Sequence, residues 1–329
     1  MKKKGWISGG ICLLLVCAAV FFGGYYFYTK GVERGTEVEL YRGSQVQVAT
    51  APKLEPEKME NWLQQQALQS LSIDSFDGLM LRAVYLERGH NASGTVILMH
   101  GFRKQKEDMD ELARLYHRMN FHILIPDARG HGESEGEYIG YGWHDRLDVA
   151  DWIQLLINEY NAEDIILHGE SMGAALALMA SGEELPDEVK GIVADSGYTS
   201  VKEELAYQLK HLYGFPSFPL LNTASLITKI KHGYSFEEAS SLEQVQHNTR
   251  PLLLIHGAED ELVPTDMVYR INEAAGGDVE RWIVPEAAHI KAYDTDPDMY
   301  EMRLCSFLEK ALHADICENS EITLSGELL

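Results

Sequence analysis

One short stretch constrains the fold of this 329-residue chain more than any other. An apolar run at 165–167 leads into Gly-Glu-Ser-Met-Gly at 169–173, and a run of small and apolar residues follows. Such a pattern predicts a buried strand, a sharp turn that presents Ser171, and a helix. Gly169 lets the backbone fold back tightly, and Gly173 lets the helix pack closely on the sheet. Because five residues can match by chance, the interpretation depends on the rest of the chain.

The stretch is part of a longer alternation of strands and helices. Apolar runs predict buried strands, and amphipathic segments between them predict helices. Continuous apolar strands separated by helices indicate an α/β fold, a mostly parallel sheet with helices on both faces. An alternating segment at 71–86, with Asp77-Gly78 near its centre, predicts an antiparallel hairpin at the leading edge. The buried strands are predicted at 95–99, 121–125, 164–167, 191–194, 252–255 and 281–284.

One connection, at 199–250, is far longer than connections usually are in such folds. It is rich in aromatic, leucine and proline side chains, so we expect a helical insertion over the carboxyl edge of the sheet. The insertion is either additional core or a lid over a ligand site. A lid is favoured, because ligands bind at that edge.

The N-terminus carries a candidate membrane anchor. Residues 6–28 contain no charge, follow three lysines and end in an aromatic cluster. A stretch of this length can cross a bilayer as a helix, and the lysines favour a cytoplasmic start. A cleaved signal peptide fits less well, because bulky aromatics occupy the place of a small-residue cleavage site. We expect an uncleaved single-pass anchor in the cell membrane, with the bulk of the chain outside the cytoplasm.

These features divide the chain into four parts. The predicted parts are a basic tip and transmembrane signal anchor at 1–30, a juxtamembrane spacer at 31–68, a folded domain at 69–313 and a flexible acidic tail at 314–329.

Charge and cysteine content exclude some classes of partner. The formal net charge is -23, and such a surface repels nucleic acid. The spacing of the four cysteines suggests no metal site. A bond between Cys305 and Cys317 is possible, but free thiols are favoured.

Three residues could form a nucleophilic relay. A serine hydroxyl needs a base to take its proton and an acid to orient that base. Ser171, Asp260 and His289 each lie in a loop after a predicted strand, in the order that this topology requires. We predict Ser171 as the nucleophile, Asp260 as the acid and His289 as the base. Asp195 also ends a strand and is the alternative acid.

The same reasoning predicts the donors that stabilise a developing oxyanion. The backbone N–H of Met172, at the start of the helix after the turn, is the first. The backbone N–H of Phe102, in the loop after the first parallel strand, is the second, and Gly101 permits the tight approach there. Arg103 could contact substrate, but a surface arginine is favoured. The polar, glycine-containing segment at 127–134 is interpreted as a rigid turn that braces the site.

These residues resemble the α/β-hydrolase superfamily over roughly 71–313. Within it the chain is most similar to the Bem46-like, serine-aminopeptidase-like group, whose members are often membrane-anchored. The resemblance implies about eight strands and a Ser–His–Asp triad, without metal or organic cofactor. Ala174 stands where many relatives carry a second glycine, a mild departure. The motifs that carry the resemblance lie at 100–102, 127–134, 169–173, 257–264 and His289.

We therefore expect a membrane-anchored serine hydrolase that cleaves carboxylic esters through an acyl-enzyme. The substrate would be a small molecule or acyl compound, and the substrate-binding residues and oligomeric state are not predicted. A peptidase or aminopeptidase, and an acyltransferase, are alternatives of the same fold. A non-catalytic tethered binding protein would usually lack one of the three catalytic groups. The anchor interpretation predicts that removal of residues 1–30 leaves a soluble active protein.

Overall fold

The computed structural model describes residues 2–36, 38–39, 48–49, 62–89 and 91–316. The predicted acidic tail beyond residue 316 and most of the predicted spacer lie outside these ranges. The strands of the main sheet, in chain order, are β1 (Gln69–Asp74), β2 (Met80–Leu86), β3 (Gly94–Met99), β4 (Phe121–Pro126), β5 (Ile165–Glu170), β6 (Val189–Asp195), β7 (Leu252–Gly257) and β8 (Val279–Val284). A separate antiparallel pair joins Val38–Glu39 to Val48–Ala49.

Eight strands form one sheet in the order β8-β7-β6-β5-β3-β4-β2-β1. The strands from β3 to β8 pair in parallel, whereas β2 pairs antiparallel with both β1 and β4. This confirms the predicted α/β-hydrolase fold and the hairpin at the leading edge. The parallel strands from β3 to β7 are buried along almost their whole length, as their continuous apolar runs require, whereas the edge strand β8 is only partly buried.

Helices cover both faces of the sheet. One face packs against α2 (Asp110–Arg118) and α10 (Pro297–Leu312), and the other against α3 (Asp145–Tyr160), α4 (Met172–Ala180) and α8 (Asp266–Ala274), so two apolar cores lie on opposite sides of the strands. A 3₁₀ turn over Lys106–Met109 leads directly into α2. The helices are α1 (Lys2–Gly31), α2 (Asp110–Arg118), α3 (Asp145–Tyr160), α4 (Met172–Ala180), α5 (Val201–Tyr213), α6 (Leu220–His232), α7 (Ser241–Gln244), α8 (Asp266–Ala274), α9 (Ala292–Thr295) and α10 (Pro297–Leu312). Two further 3₁₀ turns span Trp62–Gln65 and Val245–His247.

The long connection between β6 and β7 holds three helices, α5, α6 and α7. Helices α5 and α6, together with α4, contribute side chains to a third apolar cluster above the carboxyl edge of the sheet. The prediction of a helical insertion is confirmed, and its role as a lid stays a prediction.

Helix α1 contains the stretch Gly10–Gly31, which is long and apolar enough to cross a membrane, and most of it is exposed. Its last turns nevertheless pack on the folded domain. Tyr28 is only 1% exposed and Val32 is fully buried, and both belong to the third cluster. The Arg34 guanidinium then donates to the carbonyls of Gly132 and Ser134, at 2.7 and 2.8 Å.

The cysteines differ partly from the expectation. Cys12 and Cys17 are free, but Cys305 is disulfide-bonded, so the prediction of free thiols is wrong for Cys305. Cys317 lies outside the described residues.

Candidate active site

The turn between β5 and α4 has the backbone that its sequence predicts. Ser171 has φ 55° and ψ -114°, a left-handed conformation that is costly for any residue with a side chain. A Cβ on Gly169 would overlap the carbonyl of Gly173, and a Cβ on Gly173 would overlap the carbonyl of Met99. Only glycine therefore allows the turn to close and α4 to lie so near β3.

Ser171, His289 and Asp260 come together at the carboxyl edge of the sheet. The Nε2 atom of His289 lies 2.8 Å from Ser171 Oγ, and its Nδ1 atom lies 2.7 Å from Asp260 Oδ2. A carboxylate can only accept, so Nδ1–H donates to Asp260 and the Nε2 lone pair faces the serine hydroxyl. This tautomer is the one that can take the proton of Ser171.

Asp260 is held as an anion by its surroundings. Its other oxygen, Oδ1, accepts the backbone N–H groups of Leu262 and Val263, at 2.9 and 2.8 Å. Burial would raise the pKa of this carboxyl, but the imidazoles of His289 and His256 outweigh burial and hold the pKa well below its usual range. The Nε2 atom of His256 lies 3.3 Å from Asp260 Oδ2 and 3.0 Å from the Val263 carbonyl.

Asp195, the alternative acid, makes different contacts. Its carboxylate accepts from the Ser196 hydroxyl at 2.8 Å and from the Tyr300 hydroxyl at 3.3 Å. Burial raises the pKa of Asp195 to about 6, despite these hydrogen bonds. The His289 imidazole is thus bonded to Asp260 and not to Asp195.

The loop after β3 lies against the serine. A Cβ built on Gly101 would stand 3.5 Å from the Cβ of Ser171, an ordinary van der Waals contact, so the loop lies directly beside the serine. The His100 imidazole braces the loop, because its Nε2 accepts the Ala128 N–H at 3.0 Å and its Nδ1 donates to the Gly101 carbonyl at 2.9 Å. The Phe102 ring stacks on the ring of Tyr141, with the centroids 5.3 Å apart.

Both residues predicted as oxyanion donors border the same cavity as the serine. Phe102 and Met172 line it together with Ser171 and His289. Met172 is the first residue of α4, where backbone N–H groups are free of helical partners and the helix dipole favours negative charge.

The segment at 127–134 braces the site through buried ion pairs, as predicted. Asp127 accepts from the Lys106 backbone N–H and from its ammonium, both at 2.8 Å. The guanidinium of Arg129 is fully buried and forms two parallel bonds to Asp148, at 2.8 and 2.6 Å. Pairs of this geometry fix the turn that carries the Ala128 N–H.

The cavity beside the serine has a volume of about 180 Å³ and is mainly apolar. It is enclosed by residues of α1, the loop after β3 and the insertion, together with the start of α4 and the loops after β7 and β8. Glu204 and Gln208 add polar atoms to one wall, and the Glu204 Oε1 accepts from Gln208 at 3.0 Å. The apolar side chains contributed by α1 and the insertion include Phe27, Leu205, Leu209, Leu212, Tyr213 and Leu221.

Sequence reasoning missed Phe27, Lys30 and Glu204 as cavity residues. Phe27 and Lys30 lie in a segment interpreted as a membrane span, where hydropathy gives no hint of a pocket. Glu204 lies in an amphipathic helix and resembles a solvated residue there. Within the described part of the chain, no group of three or more His, Cys, Asp or Glu side chains could hold a metal ion.

The interpretation of Arg103 as a surface arginine is wrong, because its guanidinium bonds groups at and just after the end of α1. Its Nη2 atom donates to the Lys30 carbonyl at 2.9 Å and to the Thr36 hydroxyl at 2.7 Å. Its Nη1 atom donates to the Thr36 carbonyl. The guanidinium therefore ties the end of α1 to the loop that carries Phe102.

The fold and the site define the class of the protein, an α/β hydrolase with a serine at the sharp turn after β5. The model of a family described as serine aminopeptidase S33 matches residues 90–238. The uncharacterized protein YqkD of Bacillus subtilis is 31% identical over 221 residues, which cover 67% of this chain and 72% of the relative. YfhR of Escherichia coli K12 is 24% identical over 252 residues, 74% of this chain and 82% of the relative.

Among solved structures, the esterase Pf2001 of Pyrococcus furiosus superposes with a TM-score of 0.64 at 23% identity. The match covers 79% of this chain and 97% of the esterase. The chain belongs to the α/β-hydrolase superfamily and is a hydrolase.

Proposed function

We propose that the protein is a membrane-anchored serine hydrolase that cleaves carboxylic esters, with Ser171 as nucleophile, His289 as base and Asp260 as the acid that orients it. The observation that carries the proposal is a pair of hydrogen bonds. Ser171 Oγ lies 2.8 Å from His289 Nε2, and His289 Nδ1 lies 2.7 Å from Asp260 Oδ2. Catalysis also needs space for a substrate beside these residues, and the apolar cavity of about 180 Å³ supplies it.

The reaction follows from this geometry. As Ser171 Oγ attacks the ester carbonyl, its proton passes to His289 Nε2, and Asp260 stabilises the resulting imidazolium. The backbone N–H groups of Phe102 and Met172 receive the developing oxyanion. His289 then protonates the leaving alcohol. In the second half it activates water, which releases the carboxylic acid from Ser171.

The cavity favours an ester over a peptide with a free amino terminus. Such a substrate would need an anionic group to bind its ammonium. The acidic side chain of the cavity, Glu204, is poorly suited, because burial raises its pKa to about 8 and so disfavours the carboxylate form. The likeness to the Pyrococcus furiosus esterase also supports ester hydrolysis.

Two observations support an anchor that is retained and a catalytic domain outside the cytoplasm. Cleavage after the apolar stretch would remove Tyr28, which is buried and whose hydroxyl lies 2.8 Å from His232 Nε2. The disulfide of Cys305 suits an oxidising compartment.

The proposal is tested by labelling the full-length protein with a fluorophosphonate. We expect the wild type to react and Ser171→Ala to lose all labelling. Ser181→Ala is the matched control, because Ser181 is a buried serine at the opposite end of α4 whose hydroxyl bonds the Leu178 carbonyl. Labelling of Ser171→Ala at the wild-type rate would refute the assignment of the nucleophile. Rates with p-nitrophenyl esters and aminoacyl-nitroanilides then decide between esterase and aminopeptidase.

A further inference from the structure

The end of the candidate membrane helix forms one wall of the cavity. Phe27, Lys30 and Gly31, in the last turns of α1, line the same space as Ser171. The Phe27 ring meets Tyr213 edge-on, with the centroids 5.3 Å apart. The cavity therefore lies between α1 and two of the helices of the insertion, α5 and α6.

Helix α6 runs beside α1 in the same direction and touches it closely. A Cβ on Gly23 would stand 2.7 Å from Leu220, and a Cβ on Gly24 would overlap Thr223, so these glycines allow the contact. Further along, Tyr28 pairs with His232 at 2.8 Å. The start of α6 thus lies beside Gly23 and Gly24, and its end lies beside Tyr28.

This packing fixes the depth of the insertion relative to the span. Gly23 lies about 12 Å before the end of α1, at the ~1.5 Å rise of each helical residue. The stretch Gly10–Gly31 spans about 33 Å, close to the ~30 Å thickness of bilayer hydrocarbon. If this stretch crosses the membrane, the turn between α5 and α6 lies at the level of the acyl chains.

The composition of that turn suits such a place. Although the whole chain has a net charge of -23, residues 212–228 contain no Asp, Glu, Lys or Arg. Lysines bracket the stretch at positions 210 and 229, where long cationic side chains can reach a polar interface. Within this stretch Phe218 (73% exposed) and Leu226 (59%) face outward, and Ile230 (76%), just after Lys229, does so too.

We propose that the turn between α5 and α6 inserts into the bilayer beside α1, and that the substrate is a membrane-resident lipid ester. Its acyl chain would enter the cavity between α1, α5 and α6 directly from the bilayer and place its ester carbonyl at Ser171. The inference rests on the proposed serine hydrolase function, which it extends to a class of substrate. Hydrolysis consumes one water and releases a fatty acid and an alcohol.

Insertion is tested by fluorescence on the full-length chain in phosphatidylcholine vesicles. Phe218→Cys, in a background with Cys12→Ala and Cys17→Ala, carries a polarity-sensitive maleimide fluorophore. The control is Met302→Cys, because Met302 is an exposed apolar residue (43%) on α10, which packs in the first apolar cluster and not in the cluster that holds the end of α1. Lipids with a spin label on the acyl chain should quench the fluorophore at 218 and not at 302. Equal quenching at both positions overturns insertion. A fluorescence change at 218 that depends on protein concentration also overturns it, because it reports contact with a second copy of the chain.

Substrate entry is tested with two esters in the same vesicles, monooleoylglycerol in the bilayer and p-nitrophenyl butyrate in the water. Phe218→Asp should lower the rate on the lipid relative to the soluble ester about tenfold, since a carboxylate resists insertion. Met302→Asp should leave this ratio at the wild-type value.

The outcomes separate the two proposals. A wild type that hydrolyses the soluble ester and reacts with fluorophosphonate, with no change of the ratio in Phe218→Asp, overturns entry from the bilayer and leaves the serine hydrolase intact. A wild type that hydrolyses neither ester and does not react overturns the proposed function, and the inference with it.

Discussion

Asp260 lies between two imidazoles, whereas Asp195 bonds hydroxyl groups, so substitution can separate their roles. We expect Asp260→Asn to lower kcat about 10⁴-fold, because the amide no longer holds His289 in the tautomer whose Nε2 accepts the serine proton. Asp195→Asn should lower kcat much less, since Asp195 does not touch the imidazole. Steady-state kinetics with a p-nitrophenyl ester measure both variants, and circular dichroism checks their folding. A greater loss in Asp195→Asn would assign the acid role to Asp195.

The buried carboxyl group of Glu204 leads to a prediction about how stability depends on pH. Burial raises its pKa from 4.5 to about 8, so the native state favours the protonated form more than the unfolded chain does. The stability that this group contributes is complete below pH 4.5 and is lost as pH rises to about 8. Glu204→Gln cannot ionise, so its Tm should exceed that of the wild type by an amount that grows between these pH values. The upper limit of the gain is about 5 kcal/mol.

The neighbouring Glu203 is the matched control for this measurement. Its carboxylate pairs with the Arg270 guanidinium at 2.6 and 3.0 Å, and this pairing lowers the pKa of Glu203. Its contribution is therefore present above the unfolded pKa and lost in acid, so Glu203→Gln should lower Tm at pH 7 and not at pH 3. A Tm difference for Glu204→Gln that does not change with pH would contradict the assigned protonation.

At the level of elements, the sequence predicts what depends on local pattern. Buried parallel strands read as continuous apolar runs, and the loops after β5, β7 and β8 bring Ser171, Asp260 and His289 to one edge of the sheet. The contact between α1 and α6 could not be predicted, because hydropathy reports exclusion from water and does not distinguish lipid from protein. The hydrogen-bond partners of Arg103 could not be predicted either, because they lie about 70 residues away in the chain.

The packing of α1 changes what truncation should do. Removal of residues 1–30 takes away Phe27 from the cavity wall and the buried Tyr28, so we no longer expect an intact active enzyme. Loss of one large buried side chain costs about 3–5 kcal/mol, and the opened cavity exposes apolar surface. Removal of residues 1–22 keeps the turns that pack on α6 and should preserve labelling by fluorophosphonate. Tm and labelling rate compare the two proteins, and equal values would show that the end of α1 is dispensable.

Across the whole molecule, three functions meet at the end of α1. The helix is the candidate tether, its last turns form a wall of the cavity, and Arg103 joins it to the loop that offers the Phe102 N–H. An anchor that is only a tether would need none of these contacts. Under the proposed anchoring, this arrangement would couple the position of the domain on the membrane to the geometry at Ser171.

Substitution of Arg103 tests whether the end of α1 influences the geometry at Ser171. Arg103→Ala removes the charged hydrogen bonds to Lys30 and Thr36, so we expect about 3 kcal/mol less stability and slower labelling by fluorophosphonate. The control is Arg114→Ala, because Arg114 forms a half-exposed ion pair with Asp110 at 3.2 Å and should change neither quantity much. Urea unfolding gives the stability, and the labelling rate in excess probe gives the reactivity of Ser171. If Arg103→Ala lowers stability but labels at the wild-type rate, α1 is held by Arg103 without influencing the catalytic loop.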